Sequence, residues 1–473
     1  MKLINLDNPV TSDWFADQGF RLDASPYLSG SLEVRKLLEG VPTVPLERLT
    51  SGHNGGIFNG PQFSRVYLTS PEHSVPFLGS KDMLLSDFTS LPRLRKSDAK
   101  SRKLSYLEVK SGMTLISCSG FHAGRRSYVR PDMVGFWSSQ DVLKVEPDAE
   151  KIRSGYLYAF LASRFGEILV KGSVYGSAVK HIEPHHIAEL PVPRLGKEIE
   201  DEIHGLVEES ARLRSYFQAG LNKATEDFFN SVGLPEFNNV RWHEQGRDLG
   251  FEVNSIGAHS LRALNYTPRA QHLVNSLRSV PSASLGKLCA GGLLRTGARF
   301  KRIDTDPSHG VRLVGQRQAF WVRPEGRWIS AAQAPKDILQ KDETVLVAAH
   351  GTLGENEVYG RSILVTGSWL NNAFSQDFLR VLSGDPEVPG AYLFAFFRSN
   401  AAFRILRSMS VGGKQQEYHP KLLRELPIPI AAPADRERIA ETVRQAYRDR
   451  DRADVLEDEA IALLTTAIEE AAA

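Results

Sequence analysis

The sequence has few of the residues that mark secreted, metal-binding or membrane proteins. Among 473 residues there are two cysteines, Cys118 and Cys289, which are too few for a disulfide framework and too far apart for a CxxC metal site. The longest apolar run, residues 391–397, is much shorter than the roughly 20 residues that span a bilayer. Residues 1–14 contain no apolar stretch of signal-peptide length. A reducing cytoplasm is therefore the expected location, and no membrane partner is expected.

The sequence also lacks the motifs of common active sites. The glycine-rich residues 51–60 have no Gly-Lys-Ser/Thr with which to bind phosphate. Residues 370–374 are similar to an amino-methyltransferase motif but lack its two prolines, and no glycine-rich cofactor loop follows a predicted strand. The neighbours His185 and His186 point to different sides of a helix or strand, which is poor geometry for one metal ion. We therefore expect no catalytic residue, no metal and no bound cofactor in this chain.

A strong charge of one sign is absent from the chain as a whole, whose formal net charge is +2. Residues 196–230 nevertheless hold four basic and eight acidic side chains, and residues 433–473 hold six basic and eleven acidic side chains. With net charges of −4 and −5 in these two segments, the remaining residues carry +11. This distribution favours a polyanion as the partner of the basic parts, although solvated helix faces have the same acidic pattern.

The sequence does contain an internal duplication. Ser139-Gln140-Asp141 recurs as Ser375-Gln376-Asp377, at an offset of 236 residues. The same offset relates Tyr156-Leu157-Tyr158 to Tyr392-Leu393-Phe394, and Leu190-Pro191-Val192-Pro193 to Leu426-Pro427-Ile428-Pro429. A constant register over such a distance is the signature of a repeated structural unit.

Elsewhere the offset changes by a few residues. Phe63-Ser64-Arg65 matches Phe300-Lys301-Arg302 at an offset of 237, and Val41-Pro42 matches Val280-Pro281 at an offset of 239. Insertions and deletions confined to such places indicate surface loops on a shared framework.

Each copy begins with a globular part, which we call head 1 (residues 1–195) and head 2 (residues 233–430). β-rich runs at residues 113–117 and 344–348 lie between glycine turns. Each head is also predicted to contain one short aromatic helix, at residues 155–170 and 391–406. This mixture predicts an α+β fold, with a mixed β-sheet and short helices in each head.

Each head is followed by a long helix, predicted over residues 196–232 and 431–473. Pro193 stands just before the first helix and Pro433 at the start of the second, where proline is tolerated or marks a boundary. Apolar residues recur at steps of three and four along both helices, which is the pattern of a coiled-coil seam. The seam contacts are predicted at Ile203, Leu206, Leu213, Phe217 and Leu221 in the first helix, and at Ile439, Val443, Leu456 and Leu463 in the second.

Two long amphipathic helices in one chain most simply form an antiparallel pair. Such a coiled coil would act as a spacer between the two heads. The alternative is that each helix packs on its own head as a core helix. The paired arrangement is favoured because the seam runs over five turns or more.

Two pairs of glycine-containing loops are candidates for contact with DNA. Such loops let backbone amides approach phosphates while side chains reach base edges. The first pair supplies Ser119, Gly120, Gly124, Arg125 and Arg126 in head 1, and Gly351, Thr352 and Gly354 in head 2. Glu355 stands where head 1 has Arg125, which is expected if the two heads read different bases. Two unrelated hairpin turns are the alternative interpretation.

The second pair of loops supplies Ser173, Tyr175, Lys180 and His181 in head 1, and Ser410, Lys414, Gln415 and Gln416 in head 2. Head 1 has in addition a basic run with Arg93, Arg95, Lys96 and Lys100, and Arg65 lies before it. Head 2 has its own basic cluster of Arg299, Lys301 and Arg302. Basic runs are commonly solvated loops, but contact with phosphates requires only such a run.

The order of heads and helices resembles the specificity subunits of Type I restriction-modification systems. Arg21-Leu22-Asp23-Ala24 with Tyr27 resembles the opening motif of that family, and it is echoed by Arg262 with Asn265-Tyr266. Gly351-Thr352-Leu353-Gly354 resembles the family's Gly-Thr-x-Gly turn, from which head 1 departs by one residue. Both Leu-Pro-x-Pro segments are similar to the exit from each recognition domain into the spacer helix. The resemblance covers almost the whole chain.

The resemblance implies a division of labour between this chain and its partners. Each head would be a target-recognition domain that reads one half of a bipartite, asymmetric site in double-stranded DNA. The helices would set the gap between the halves and dock two modification subunits that bind S-adenosylmethionine and methylate adenine. Two motor-nuclease subunits, which use ATP and Mg²⁺, would join where the system retains them. This chain would then have no catalytic turnover.

Two other hypotheses fit the same sequence. A stand-alone sequence-specific DNA-binding protein, acting in defence or regulation, would use the same heads without partners. A nuclease with dispersed carboxylates would cut DNA by itself, although no constellation of carboxylates with a lysine rises above background.

Overall fold

The computed structural model describes residues 11–17, 20, 25–176, 180–246, 248–257, 260–335 and 338–473. The predicted opening motif at residues 21–24 lies outside them. The chain forms two compact units. Unit 1 consists of the described residues of Met1–Ser215 together with Arg452–Ala473, and unit 2 consists of those of Tyr216–Asp451. Each unit therefore combines one head with segments of both long helices.

The helices of the described residues differ greatly in length. In chain order they are α1 (Ser12–Asp17), α2 (Ser25–Leu28), α3 (Ser31–Leu38), α4 (Lys96–Ala99), α5 (Ser154–Ala162), α6 (Arg164–Gly172), α7 (Pro184–Ala188), α8 (Lys197–Ser231), α9 (Pro268–Arg278), α10 (Leu285–Leu288), α11 (Gly390–Phe397), α12 (Asn400–Ser408), α13 (Pro420–Arg424) and α14 (Pro433–Ala472). The two long helices, α8 and α14, have 35 and 40 residues.

The strands are short. In chain order they are β1 (Thr43–Pro45), β2 (Ile57–Phe58), β3 (Ser74–Leu78), β4 (Arg93–Arg95), β5 (Thr114–Ser117), β6 (Arg126–Tyr128), β7 (Trp137–Ser138), β8 (Val142–Val145), β9 (Pro191–Pro193), β10 (Ser282–Ser284), β11 (Leu293–Thr296), β12 (Gly310–Val314), β13 (Gly326–Ser330), β14 (Thr344–Ala348), β15 (Ser362–Val365), β16 (Asn372–Phe374), β17 (Phe378–Leu382), β18 (Ser410–Val411), β19 (Glu417–Tyr418) and β20 (Pro427–Pro429).

The two heads have the same sheet topology. Head 1 has an antiparallel sheet in the order β2-β8-β5-β6 and a second sheet in the order β4-β3-β7, in which β3 and β7 are parallel. Head 2 has the matching sheets β11-β17-β14-β15 and β13-β12-β16, in which β12 and β16 are parallel. The predicted α+β class, with a mixed-sheet framework built twice, is therefore confirmed.

The central strand of each main sheet is buried on both faces. In β5, Ile116 packs with the helices of head 1, and Leu115 enters a smaller core on the other face. In β14, Val345 and Val347 pack with the helices of head 2, and Leu346 enters the smaller core. Successive side chains point to opposite faces of a strand, so these apolar runs supply two cores at once. This explains why the strands have continuous apolar sequences without alternation.

The predicted single aromatic helix is wrong in both heads, because each segment forms two helices. α5 ends before Ser163 and α6 begins after it, and the Ser163 hydroxyl accepts a hydrogen bond from the Gly166 backbone N–H. α11 and α12 are separated in the same way by Ser399, whose hydroxyl accepts from the Ala402 N–H. A serine N-cap satisfies an orphan donor at the start of the second helix, so the chain turns there although its apolar pattern continues.

The two Leu-Pro-x-Pro segments close the heads. β9 pairs with β1, and the hydroxyl of Tyr156 donates to the Pro193 carbonyl at 2.7 Å. β20 pairs with β10, and the hydroxyl of Tyr392 donates to the Pro429 carbonyl at 2.9 Å. Since prolines have no N–H, they fit a two-stranded edge where one side of the strand donates nothing. The repeated Leu-Pro-x-Pro motif therefore makes the same tyrosine-to-proline hydrogen bond in both heads.

In unit 2 the second part of α8 and the first part of α14 run antiparallel. Three pairs of facing residues establish the direction: Phe217 with Tyr447, whose ring centroids are 5.3 Å apart, Gly220 with Ala446, and Asp227 with Arg438, whose charged atoms are 2.6 Å apart. A Cβ added at Gly220 would lie 3.0 Å from the Ala446 Cβ, so these two small residues allow the close helix approach that the alanine-rich seam predicts.

In unit 1 the helix segments pack on each other and on head 1. Ile203 and Val207 of α8 share one apolar cluster with Ala460 and Leu464 of α14 and with Tyr156 of the head. In this unit α8 therefore packs both on α14 and on its own head, whereas the α14 segment packs on α8 and on head 1 rather than on the head that it follows. Because each segment buries a face toward a helix and a face toward the head, the apolar stripe is broader than a strict coiled-coil seam. The predicted contacts Leu206, Leu213 and Leu463 are only partly buried, whereas Ile203, Phe217, Leu221, Ile439, Val443 and Leu456 are buried.

A buried ion-pair cluster joins the helix segments of unit 1. The Arg214 guanidinium lies 2.9 Å from the Asp454 carboxylate and also contacts Glu457, and the Tyr158 hydroxyl of the head donates to Glu457. Beside it, the Ser210 hydroxyl donates to the Ala453 carbonyl at 2.8 Å. Burial alone lowers the pKa of Arg214, but the carboxylates of Glu457 and Asp454 raise it above its ordinary value. The Arg214 guanidinium therefore stays charged and paired although it is buried.

Removing the cation of this cluster is expected to destabilise the chain strongly. Arg214→Ala would leave the Glu457 carboxylate buried without a counter-ion, which costs about 3–5 kcal/mol. The control is Arg448→Ala on α14, because Arg448 and its partner Glu441 are both about half exposed and such pairs contribute about 0–1 kcal/mol. The free energy of unfolding in urea would measure both. Equal losses for the two variants would contradict the role given to the buried cluster.

Candidate nucleic-acid interface

The two loops predicted separately in each head lie together. In head 1 the Gly120 N–H donates to the Lys180 carbonyl at 2.9 Å, and Tyr175 and His181 exchange backbone hydrogen bonds. In head 2 the Gln416 N–H donates to the Gly351 carbonyl at 2.8 Å. We call these surfaces loop cluster 1 (residues 118–125 and 173–182) and loop cluster 2 (residues 349–361 and 410–418). Residues 177–179 lie outside the described residues.

The repeated Ser-Gln-Asp motif anchors both loop clusters. In head 1 Asp141 accepts a hydrogen bond from the Ser119 hydroxyl at 2.8 Å, and Gln140 accepts from the Arg65 guanidinium at 2.6 Å. In head 2 Gln376 accepts from the Arg302 guanidinium in the same way. The strongest repeat in the sequence therefore holds an arginine of each head beside its loop cluster.

A buried basic side chain lies three residues after the aspartate of each motif, on β8 in head 1 and on β17 in head 2. The Lys144 ammonium donates to the Val142 carbonyl at 2.8 Å, and burial lowers the pKa of Lys144 to about 7. Arg380, at the equivalent place, donates to the carbonyls of Phe378 and Phe374, each at 3.1 Å. Backbone carbonyls thus satisfy both cations, which fix the chain around the Ser-Gln-Asp motif.

Each hairpin loop is held to the second short helix by an ion pair, but with opposite polarity. In head 1 the Arg126 guanidinium, which follows the loop, lies 2.7 Å from the Glu167 carboxylate of α6. In head 2 Glu355 lies in the loop and accepts two hydrogen bonds of 2.7 Å from Arg404 of α12. Arg125, compared with Glu355 in the sequence, instead lies over the Phe121 ring, 5.5 Å from its centroid. The exchange of charge between the heads is therefore part of the framework that holds each loop.

The exposed candidates differ between the two clusters. Lys180 is exposed in loop cluster 1, and Thr352, Lys414 and Gln415 are exposed in loop cluster 2. Tyr175, His181 and Arg125 are half-buried. Gly120 and Gly124 have positive φ angles of 70° and 87°, which favour glycine, and Gly354 is exposed. Ser173, Ser410 and Gln416 are buried, so their side chains serve the loops from within. Contact between any of these residues and DNA stays a prediction.

The basic run of head 1 lies on the second sheet. Arg93 and Arg95 are on β4, where Arg93 donates to the Ser74 hydroxyl at 2.9 Å and Arg95 is paired with Asp98. Residues 65–68 run beside this strand, which links it to Arg65. Next to it is a set of exposed cations that form no ion pair with another described residue: Lys96, Lys100, Arg102 and Lys103.

The second sheet of head 2 has a different surface. By strand pairing, Trp328 of β13 occupies the place of Arg93, and it is 36% exposed. Arg327 beside it is paired with Asp304 at 2.9 Å. Of the predicted cluster, Arg299 and Lys301 are exposed, and Arg302 is held by Gln376. One framework thus carries an arginine in head 1 at the position where head 2 has a tryptophan.

Three exposed residues near the loop clusters were missed in the sequence. Phe121 forms the tip of loop cluster 1 and is 80% exposed. Arg295 and Arg424 lie beside loop cluster 2 and are also exposed. Phe121 lies between predicted residues, but the sequence does not show that this apolar side chain is exposed. The two arginines were detectable, because the repeat aligns them with the uncharged Phe58 and Ala188.

Other features of the described residues concern cofactors and membranes. No group of three or more potential ligands that could hold a metal ion occurs among them. None of their helices combines the length and the apolar character needed to cross a bilayer. Both cysteines are free and buried, and burial raises the pKa of each thiol to about 12.

Comparisons with known proteins give matches among solved structures. No family model and no curated protein matches the chain. The Type I restriction-modification S subunit from M. genitalium matches with 12% identity and a TM-score of 0.35, over 91% of this chain and 95% of that one. The HsdS subunit from Thermoanaerobacter tengcongensis matches with 13% identity and a TM-score of 0.27, over 91% and 97%. A structure of a type I restriction-modification system, determined for its assembly and conformational transition, matches with 13% identity and a TM-score of 0.27, over 90% and 98%. These are the systems that the sequence motifs resemble.

The Arg126–Glu167 pair predicts a pH-dependent part of the stability. Although partial burial alone raises the pKa of Glu167, Arg126 and Lys171 lower it to about 2. A depressed carboxylate pKa stabilises the folded chain above the ordinary value near 4.5, and this part is lost as the pH falls toward 2. Because Glu167 is more than a third exposed, we expect only about 1 kcal/mol.

The comparison that isolates this pair is between the native chain and Glu167→Gln. The difference in their free energies of unfolding should be largest near pH 7 and shrink as the pH drops from about 4.5 toward 2. A difference that stays constant across that range would show that the ion pair is not its source.

Proposed function

We propose that this chain is the non-catalytic specificity subunit of a Type I restriction-modification complex, with each head a sequence-specific DNA-reading domain. One observation carries the proposal: a single two-sheet framework is built twice, and its loop clusters occupy the same place but expose different side chains. A reader of a bipartite, asymmetric site needs two similar scaffolds with different reading groups, because each half-site presents a different pattern of donors and acceptors.

The chemistry of the loop clusters supports reading of base edges. Loop cluster 2 exposes Thr352, Lys414 and Gln415, whose hydroxyl, ammonium and amide groups are among those that read base edges in the major groove. Loop cluster 1 exposes Lys180 and the Phe121 ring. Such different sets, on one framework, would give each half-site its own sequence.

The distribution of charge supports DNA as the ligand of the heads. The residues outside the two long helices carry +11, whereas the helical segments are acidic. Neutralisation of phosphates by lysine and arginine supplies most of the sequence-independent affinity of DNA-binding proteins. The acidic, exposed faces of α8 and α14 would be left for protein partners.

The proposed partners supply the chemistry. Two modification subunits with S-adenosylmethionine would methylate adenine, and two motor-nuclease subunits with ATP and Mg²⁺ would join them where the system retains them. Their proposed docking surface is the outer face of the helices. The proposed location is the cytoplasm, where the host DNA is modified.

Co-purification from the native host tests the proposal. The tagged chain is expected to bring down a methyltransferase subunit, and the complex is expected to shift one DNA sequence in electrophoresis more strongly than unrelated DNA. Tight specific binding by the isolated chain, with no methyltransferase recovered, would favour a stand-alone DNA-binding protein instead. Metal-dependent cleavage by the pure chain would establish an enzyme and overturn the proposal.

The basic run of head 1 makes a prediction about the salt dependence of DNA binding. Lys96→Ala/Lys100→Ala/Lys103→Ala should weaken specific and unrelated sequences alike, because phosphates carry no sequence information. The slope of log affinity against log salt should become less steep by up to about 2.7, since each phosphate contact contributes about 0.9. Fluorescence anisotropy of the assembled complex at several salt concentrations gives this slope.

The control for this measurement is Lys197→Ala on α8, where the lysine is exposed and paired with Asp201. It should leave the slope unchanged. If the triple variant also leaves it unchanged, the run does not contact phosphates.

The proposed spacer role of the helices makes a second prediction. Insertion of one heptad into either long helix should lengthen the gap between the two half-sites and leave the half-sites themselves intact, because the reading residues lie in the heads. Sequencing of methylated adenine in a strain that carries the altered chain would report the gap. An unchanged gap would rule out the helices as the ruler.

A further inference from the structure

A cleft lies beside loop cluster 2, and the proposed reading of base edges does not use it. Its volume is about 430 Å³, within the range of small-ligand sites in proteins. The floor is apolar and consists of Leu294, Leu379, Tyr418 and Leu423. The hydroxyl of Tyr418 is already bound to the Ala348 carbonyl at 2.7 Å, so its ring is fixed in the wall of the cleft.

The rim of the cleft is cationic. Arg295, Arg299 and Arg424 line it, and among the described lining residues Glu417 is the single carboxylate. The Glu417 carboxylate lies 3.1 Å from His350 Nε2, a neighbour on the same rim. The lining therefore contains more guanidinium groups than carboxylates, and guanidinium groups bind phosphate oxygens through paired hydrogen bonds.

Head 1 provides an internal comparison for this cleft. The strand pairing places Phe58 of β2 where head 2 has Arg295. The repeat places Gln62 and Ala188 where head 2 has Arg299 and Arg424. All three arginines are thus absent from the other copy of the same framework. The framework itself does not require them, so their presence in head 2 points to a ligand of that head.

We propose that this cleft binds a nucleotide, with the base on the apolar floor against Tyr418 and the phosphate on Arg295, Arg299 and Arg424. A flat base suits the floor, because ligand pockets are lined mainly by apolar side chains, and only the phosphate needs the cationic rim. Since one face of the Tyr418 ring is stacked on Tyr359, with 4.9 Å between the ring centroids, and Tyr418 is buried, the base would rest mainly on the leucine side chains. Two sources supply this chemistry: a free nucleotide, or an unpaired nucleotide turned out of a DNA strand held by loop cluster 2. The second source rests on the proposed function, and the first does not.

The test uses the full chain and a variant that copies head 1 at two of the three arginines, Arg299→Gln/Arg424→Ala. The control variant, Arg241→Gln/Arg448→Gln, also removes two exposed arginines of unit 2, each paired with a glutamate away from the cleft. Calorimetry with dAMP, ATP and inorganic phosphate tests the free source. Anisotropy with a duplex that contains one unpaired adenine, against the fully paired duplex, tests the strand source. Circular dichroism checks that both variants are folded.

For a free nucleotide we expect saturable binding of dAMP or ATP that the cleft variant weakens about tenfold or more, since charge-assisted hydrogen bonds are lost. For the strand source we expect the unpaired adenine to raise affinity in the native chain and not in the cleft variant. The control variant should change either result less than about twofold.

Phosphate that binds as well as dAMP would overturn the proposal, because the floor would then contribute nothing. Equal behaviour of the native chain and the cleft variant in both arms would overturn it as well. Failure of the paired duplex to bind the assembled complex as well as the isolated chain would contradict the proposed function but leave the dAMP result interpretable.

Discussion

The core of unit 1 is completed by residues from the far end of the chain. Ala460 and Leu464 pack with Ile203 and Val207 and with the aromatic residues of head 1, and the buried Arg214–Glu457 pair joins the same segments. A buried charge that loses its partner is costly, so one register of α8 against α14 is strongly preferred in this unit. Tyr158 ties the head to that register through Glu457. The strands that hold loop cluster 1 therefore depend on the correct pairing of two distant helix segments.

The two heads share one framework and differ in their exposed surfaces. The sheets, the serine breaks at Ser163 and Ser399, and the tyrosine contacts to Pro193 and Pro429 are the same in both copies. The differences lie in exposed positions of the loop clusters, the second sheet and the head 2 cleft. Exposed side chains can change at little cost in stability, whereas the anchors cannot. This is the division expected when one fold is used for two unlike targets.

Much of the fold could be predicted from the sequence because duplication makes its framework visible. Ser139-Gln140-Asp141 and Leu-Pro-x-Pro recur because they make the same contacts twice.

The break in the aromatic helix was missed because Ser163 interrupts an apolar run without a proline or glycine. Arg214 was missed as a core residue because a charged side chain in a helix normally faces water, and its carboxylate partners are distant in the chain. The cleft was missed for the same reason, since Arg295 and Arg424 meet only through β11 and α13. The predicted boundaries at residues 195, 232 and 430 follow chain order, whereas the compact units divide both long helices.

The most direct test of the central claim is the pattern of adenine methylation in the native host, read by single-molecule sequencing with and without this gene. We expect one bipartite, asymmetric motif that is methylated in the parent strain and unmethylated in the deletion strain. We also expect that exchange of loop cluster 2 alone changes one half of the motif and leaves the other half as it was. Methylation that is identical in the parent and the deletion strain would contradict the claim that this chain directs modification.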